Sequence, residues 1–177
     1  MSSDDVVGTP VPGRPDLLKL STEPVPVVAN PHHSARTKAR KQALDILFEA
    51  ELRDRDLLTT LDEHIANGEP AVREHAQQIV RGIDEQMDAV DQRIEQCCSQ
   101  EWTLERMPRV DRNLARIAMW EIDHTDAADE AVIAEAVALA TEFSTDDSSA
   151  FLNGLLAQAS RTKQAPRADQ AAHTDQT

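Results

Sequence analysis

The sequence predicts an all-α protein of about six to seven helices in two small packed bundles. Three observations carry that prediction. Apolar residues recur at spacings of three and four along most of the chain, the repeat that lines up one face of a helix. Aromatic residues make up only 3% of the 177 residues and Tyr is absent, which disfavours the strands of an all-β sandwich. Ala, Leu, Glu, Gln and Arg abound instead, and all are good helix formers.

The elements follow in order. Prolines 10, 12, 15, 24, 26 and 31 crowd the start of the chain, so residues 1–34 are expected to be a disordered tail. Ser34 is a helix cap, and Ala39, Ala43, Ile46, Leu47 and Ala50 form the buried face of a first helix. A second helix runs near Leu57–Asn67 and ends at Gly68. Pro70 is placed as a first-turn residue of a long third helix, whose apolar stripe extends from Val72 through Ile83 and Val90 to Cys97. Trp102 and Leu104 fall in a connector that ends at Pro108. Val110, Leu114, Ile117 and Ile122 mark a fourth helix, and Val132, Ala136, Ala140 and Phe143 a fifth, over about 129–143. Ser144-Thr145-Asp146-Asp147 has the form of a capping box that opens a sixth, with Phe151, Leu152, Leu155 and Leu156. The helical domain is thus 35–160, and 161–177 is expected to be a second disordered tail.

Several function classes fall away. No apolar run reaches about 18 residues, so no spanning helix is expected, and the start lacks the features of a signal peptide. The adjacent Cys97 and Cys98 make no disulfide framework, which points to a reducing, cytoplasmic setting, with Cys97 a core thiol. Glu121-Ile122-Asp123-His124 is half of a di-metal carboxylate motif without its second copy, and is read as an exposed helix end. Neither a nucleophile elbow nor a phosphate-binding glycine loop is present. The chain is read as not an enzyme, with no cofactor and no metal site.

Charge is the better lead. The net charge is -14, so the molecule as a whole repels phosphate backbones. Two islands run the other way: Arg36, Lys38, Arg40 and Lys41 without an acid among them, and Arg109, Arg112 and Arg116 against Asp111. Basic residues in the first turn of a helix oppose its dipole, so the first island points to an anionic ligand. Residues 121–160, by contrast, hold nine acids and no base.

Three ordered blocks add a family resemblance over about 35–158. Arg36-Thr37-Lys38-Ala39-Arg40 leading into Ala43-Leu44-Asp45-Ile46-Leu47-Phe48 resembles the arginine-rich opening of the NusB family of bacterial antitermination factors. Val110-Asp111-Arg112-Asn113-Leu114-Ala115-Arg116-Ile117 resembles its central helix. Ala131-Val132-Ile133-Ala134-Glu135-Ala136, followed by Asp146-Asp147-Ser148-Ser149-Ala150-Phe151-Leu152-Asn153-Gly154, is similar to its C-terminal signature.

The resemblance implies an RNA-binding adaptor that recognises boxA of ribosomal RNA leader transcripts. It would do so together with NusE, a small-subunit ribosomal protein, and join NusA, NusG and RNA polymerase to read through terminators. Carried over by position, it implies RNA contacts at Arg36, Lys38, Arg40, Lys41, Asp147 and Phe151, and partner contacts at Phe48, Glu105 and Asp111. Core packing is the alternative role for Phe48 and Phe151. Thr37, Ala134, Ser144 and Ala150 depart from residues the family usually has, Arg, Asn, Gly and Lys respectively, and thin the basic motif. A second reading is therefore a homodimeric interaction module of the same fold with weak or lost RNA binding.

Overall fold

The computed structural model describes residues 9–11, 14–19, 34–98 and 103–163. The chain divides into two units at Ser34. The first holds a two-stranded antiparallel ribbon, Thr9–Val11 (β1) and Arg14–Lys19 (β2), in which Val11 pairs with Arg14. The sequence reading of 1–34 did not include this ribbon. Pro10 and Pro15 are tolerated in it because both strands of a two-stranded ribbon are edges.

The second unit carries, among its described residues, seven α-helices: α1 (Ala35–Leu52), α2 (Leu57–Asn67), α3 (Glu74–Glu85), α4 (Met87–Cys97), α5 (Arg109–His124), α6 (Asp129–Phe143) and α7 (Asp146–Arg161). The Ser34 hydroxyl accepts from the Thr37 amide at 3.0 Å and caps α1. Asp56 does the same for α2 through the Thr59 amide at 2.7 Å. Gly68 closes α2 with an ordinary negative φ, and its lack of a side chain matters for another reason: a Cβ there would overlap the His64 carbonyl.

Two expectations about the third helix are corrected. Pro70 does not open it, because α3 begins only at Glu74. The Gln42 side chain holds the approach extended, donating to the Ala71 carbonyl at 3.1 Å and accepting from the Arg73 amide at 3.0 Å. The single long helix is also two, divided at Gln86, whose φ of -125° leaves the helical region. The apolar spacing runs unbroken across this joint, so periodicity alone does not reveal it. The joint lets α3 pack on α1, α2 and α5 while α4 packs on α5 and α7.

The last boundary shifts by one residue. Thr145, not Ser144, is the cap of α7, and its box partner is Ser148. The earlier expected element limits otherwise stand within a few residues. A 3₁₀ turn at Leu104–Arg106 precedes α5, while Trp102 lies outside the described residues.

α5 is the shared axis, touching α1, α3, α4, α6 and α7. Its Leu114 and Ile117 join Ile46 of α1, Ile79 and Ile83 of α3 and Leu152 of α7 in one continuous core. Farther along, Ala118 and Ile122 meet Val132, Ala136 and Leu156 in a smaller cluster. Each such buried Leu or Ile contributes roughly 1.5–3 kcal/mol. Where α3 crosses α5, Gly82 lies flat against the Trp120 indole, and a Cβ at 82 would overlap the ring.

Candidate nucleic-acid interface

The first basic island divides along the helix. Arg36 and Lys38 are exposed on the first turn of α1, and among the described residues neither has an ion-pair partner. Arg40, expected with them as a cation facing an anionic ligand, is only 5% exposed. It lies among Ala39, Ala43 and Leu44 on the apolar face, and its guanidinium grips Glu121 with Nε–Oε2 at 2.7 Å and Nη2–Oε1 at 2.9 Å. Glu121 is fully buried, which corrects its reading as part of an exposed helix end; only His124 at that end is exposed. His75 Nε2 also reaches Glu121 at 3.0 Å, so α1, α3 and α5 meet on one carboxylate.

Lys41 is half-buried and turns toward the end of α6. Its Nζ lies 2.6 Å from Glu142 and 4.9 Å from the centre of the Phe143 ring. Phe143, expected in the core, is 44% exposed. It stands four residues before Asp147, which is exposed on the first turn of α7. Phe151, one turn further, is half-buried and packs against the main core.

The second island is ion-paired, and only Arg109 of its three arginines is exposed. Glu51 of α1 accepts from Arg112 and from Asn113 at 3.0 Å, with Arg116 at 3.5 Å and Arg109 at 3.4 Å. Burial pushes the Glu51 carboxyl up, but the hydrogen bonds from Arg112 and Asn113 and the charges of Arg112 and Arg116 outweigh it and hold it below the usual range. Arg116 also forms a fork with Asp91 of α4, both bonds at 2.7 Å. Arg112 donates to the carbonyls of Leu104 at 2.5 Å and Met107 at 3.2 Å, so it fixes the 3₁₀ turn as well.

The residues expected on the partner side differ in exposure. Phe48 is half-buried, one turn before Glu51, and Glu105 is exposed in the 3₁₀ turn. Asp111 is not at the surface: it is 3% exposed and accepts from Ser144 Oγ at 2.5 Å and Ser148 Oγ at 2.7 Å. This explains Ser144 at a position where glycine was the expectation. Its φ is -129°, which needs no glycine, and its hydroxyl ties the α6–α7 joint to α5.

Sequence reasoning missed Glu51, Glu121 and Glu135 as counter-charges. Glu121 did carry a signal, since it stands three residues after Ala118 on the buried stripe of α5. Cys97 and Cys98 are both half-buried, and burial pushes the Cys98 thiol up. Among the described residues no group of His, Cys, Asp and Glu is arranged to hold a metal ion, and no helix is long and apolar enough to cross a membrane.

The model of the NusB family matches residues 37–161. A transcription antitermination protein NusB of Nocardioides is 43% identical over 131 residues, covering 73% of this chain and 96% of the relative. One from Salinispora tropica is 51% identical over 126 residues, covering 69% and 92%. One from Cutibacterium acnes is 53% identical over 123 residues, and the match spans 70% of this chain but only 47% of that longer relative. Among solved structures, T. maritima NusB superposes with a TM-score of 0.66 at 30% identity, covering 75% of this chain and 94% of its own. A complex of the antitermination factors NusB and NusE with double-stranded RNA contains a chain that aligns with a TM-score of 0.61 at 21% identity, covering 71% and 96%, a likeness of fold alone.

Proposed function

We propose, from the premise that this chain belongs to the NusB family, that it is a non-enzymatic transcription antitermination factor that binds RNA through the first turn of α1. The RNA would be the boxA element of ribosomal RNA leaders, bound jointly with NusE. The resulting assembly would include NusA, NusG and RNA polymerase. One observation carries the RNA-binding reading: Arg36 and Lys38 are exposed cations without ion-pair partners among the described residues, on a molecule of net charge -14. Cations left unpaired at the start of a helix are unfavourable for the helix and favour a bound anion. Arg40 supports the same turn from beneath, through Glu121.

An acidic molecule with so small a cationic patch grips RNA weakly, since the patch acts over about 8–10 Å and the rest of the surface opposes it. A basic protein partner remedies this. Asp126, Glu130, Asp146 and Asp147, exposed acids of the run 121–160, supply complementary charge for one, and a ribosomal protein such as NusE has that character.

The test is a fluorescence-anisotropy titration of single-stranded boxA-like RNA, with and without NusE and against a scrambled RNA. Wild-type protein should prefer boxA, NusE should tighten it, and the double variant Arg36→Glu, Lys38→Glu should lose binding. With about two phosphates neutralised, the log–log salt slope should lie near -1.4. Equal affinity of wild type and double variant would overturn the assignment. Self-association without RNA binding would favour the homodimer reading instead.

A further inference from the structure

Phe143, the last residue of α6, continues the apolar spacing of Val132, Ala136 and Ala140 yet stands outside both core clusters. Its ring is exposed, and it adjoins the basic island of α1 directly, because Lys41 Nζ lies over it at 4.9 Å from its centre. Lys41 follows the exposed Lys38 by three residues, a spacing that makes the two neighbours on one helix face. Phe151, by contrast, is half-buried and packs against the main core. Acids complete the surroundings of the exposed ring. Glu142 accepts from Lys41 at 2.6 Å, and Asp147 is exposed four residues on.

A ligand here must suit an aromatic ring, the cations beside it and the acids next to it in the chain. A phosphate is drawn to Lys38 and Arg36 and repelled by Glu142 and Asp147. A neutral aromatic body meets no such repulsion and gains by covering the ring. A nucleotide of single-stranded RNA offers both parts, a phosphate and an uncharged base that can turn out of its own stack. We infer that Phe143 is the stacking platform for one unpaired base of the bound RNA, whose backbone runs along Lys38 and Arg36. Every base has a π face, so the platform contributes affinity and little sequence preference. The inference rests on the RNA-binding reading above and adds to it a residue that charge alone does not indicate.

The experiment titrates the full chain, with NusE present, against boxA-like strands in which one nucleotide at a time is made abasic. Wild-type protein should lose about tenfold in affinity at one position, the value of one stacked base. Phe143→Ala should lose the same factor on the intact strand, keep the wild-type melting temperature, and no longer respond to that abasic position. Phe143→Leu, which keeps apolar bulk without a π face, should lose most of the factor as well, so the inference stays testable if Phe143→Ala unfolds. 2-Aminopurine placed at the sensitive position should be quenched by wild type and not by either variant. Equal affinity of wild type and both variants overturns the platform and leaves the basic first turn standing. An abasic loss that is undiminished in the variants also overturns it. If the variants instead weaken NusE binding measured without RNA, the ring belongs to the protein partner and the inference falls. Failure of wild type to bind any of the strands overturns the RNA reading itself, and this inference with it.

Discussion

The two basic islands read alike in sequence and differ in structure. At the start of α1, Arg36 and Lys38 face outward with no carboxylate engaged among the described residues. At the start of α5, Arg109, Arg112 and Arg116 converge on Glu51, and Arg116 forks onto Asp91. The difference lies in what each helix packs against. The first turn of α1 has alanines opposite it at the start of α6, whereas α5 is the axis of the fold and meets acids from α1 and α4. A run of arginines is therefore not by itself a binding site. What separates the two runs is counter-charge, which the described residues supply to the second and not to Arg36 and Lys38.

Arg40 belongs to the first island by sequence and to the second by behaviour, and it offers the largest test. Arg40→Met leaves the fully buried Glu121 with only His75 beside it. We expect a loss of about 3–5 kcal/mol, seen as a fall in melting temperature of about 10 °C or more. A variant melting like wild type would place Arg40 with the ligand-facing cations after all.

Arg112→Ala should cost about 2–3 kcal/mol, because it removes the Glu51 pair and uncovers the Leu104 and Met107 carbonyls. Chemical denaturation at neutral pH measures this, and RNA affinity per folded molecule should not move. If RNA binding falls while stability holds, the ion-paired island is a binding surface and the contrast between the islands fails.

The third test uses pH. Glu51 is held below the usual carboxylate range in the folded state, so its contribution is fully present above the unfolded value of about 4.3. It is lost as pH falls below that value through the folded one. Melting temperatures should therefore drop as pH is lowered below about 4.3, and Glu51→Gln should flatten that part of the curve. A variant whose acid limb matches wild type would assign the acid sensitivity to other carboxylates.

The smallest effect on stability is expected where the functional effect is greatest. Arg36→Glu with Lys38→Glu should change unfolding free energy by about 0.5 kcal/mol or less, and in the favourable direction, since acids suit a helix start.

These contrasts show which parts of the structure were legible in the sequence. Helix identities followed from apolar spacing, and the Ser34 cap from local chemistry, because both act within a few residues. The break at Gln86 was hidden because α3 and α4 keep the same apolar phase while packing on different neighbours. The fate of each arginine was hidden for a related reason. Arg40 and Glu121 are 81 positions apart, and only the tertiary fold brings them together. Arg36 and Lys38, identified from the basic island, stayed at the surface; Asp111 and Arg40 did not, since each follows a buried stripe that charge counting does not see.

The contact of Gly82 with Trp120 has a practical consequence. The chain has two Trp and no Tyr, so its near-ultraviolet emission comes from two indoles alone. The Trp120 indole is sealed against α3 by a residue without a side chain, and His124 stacks on it at 5.9 Å between centroids. Replacing Trp102 with Phe would leave an intrinsic fluorophore whose emission reports the docking of α3 on α5. A red shift that precedes the loss of far-ultraviolet ellipticity would reveal that joint opening while the helices are still intact.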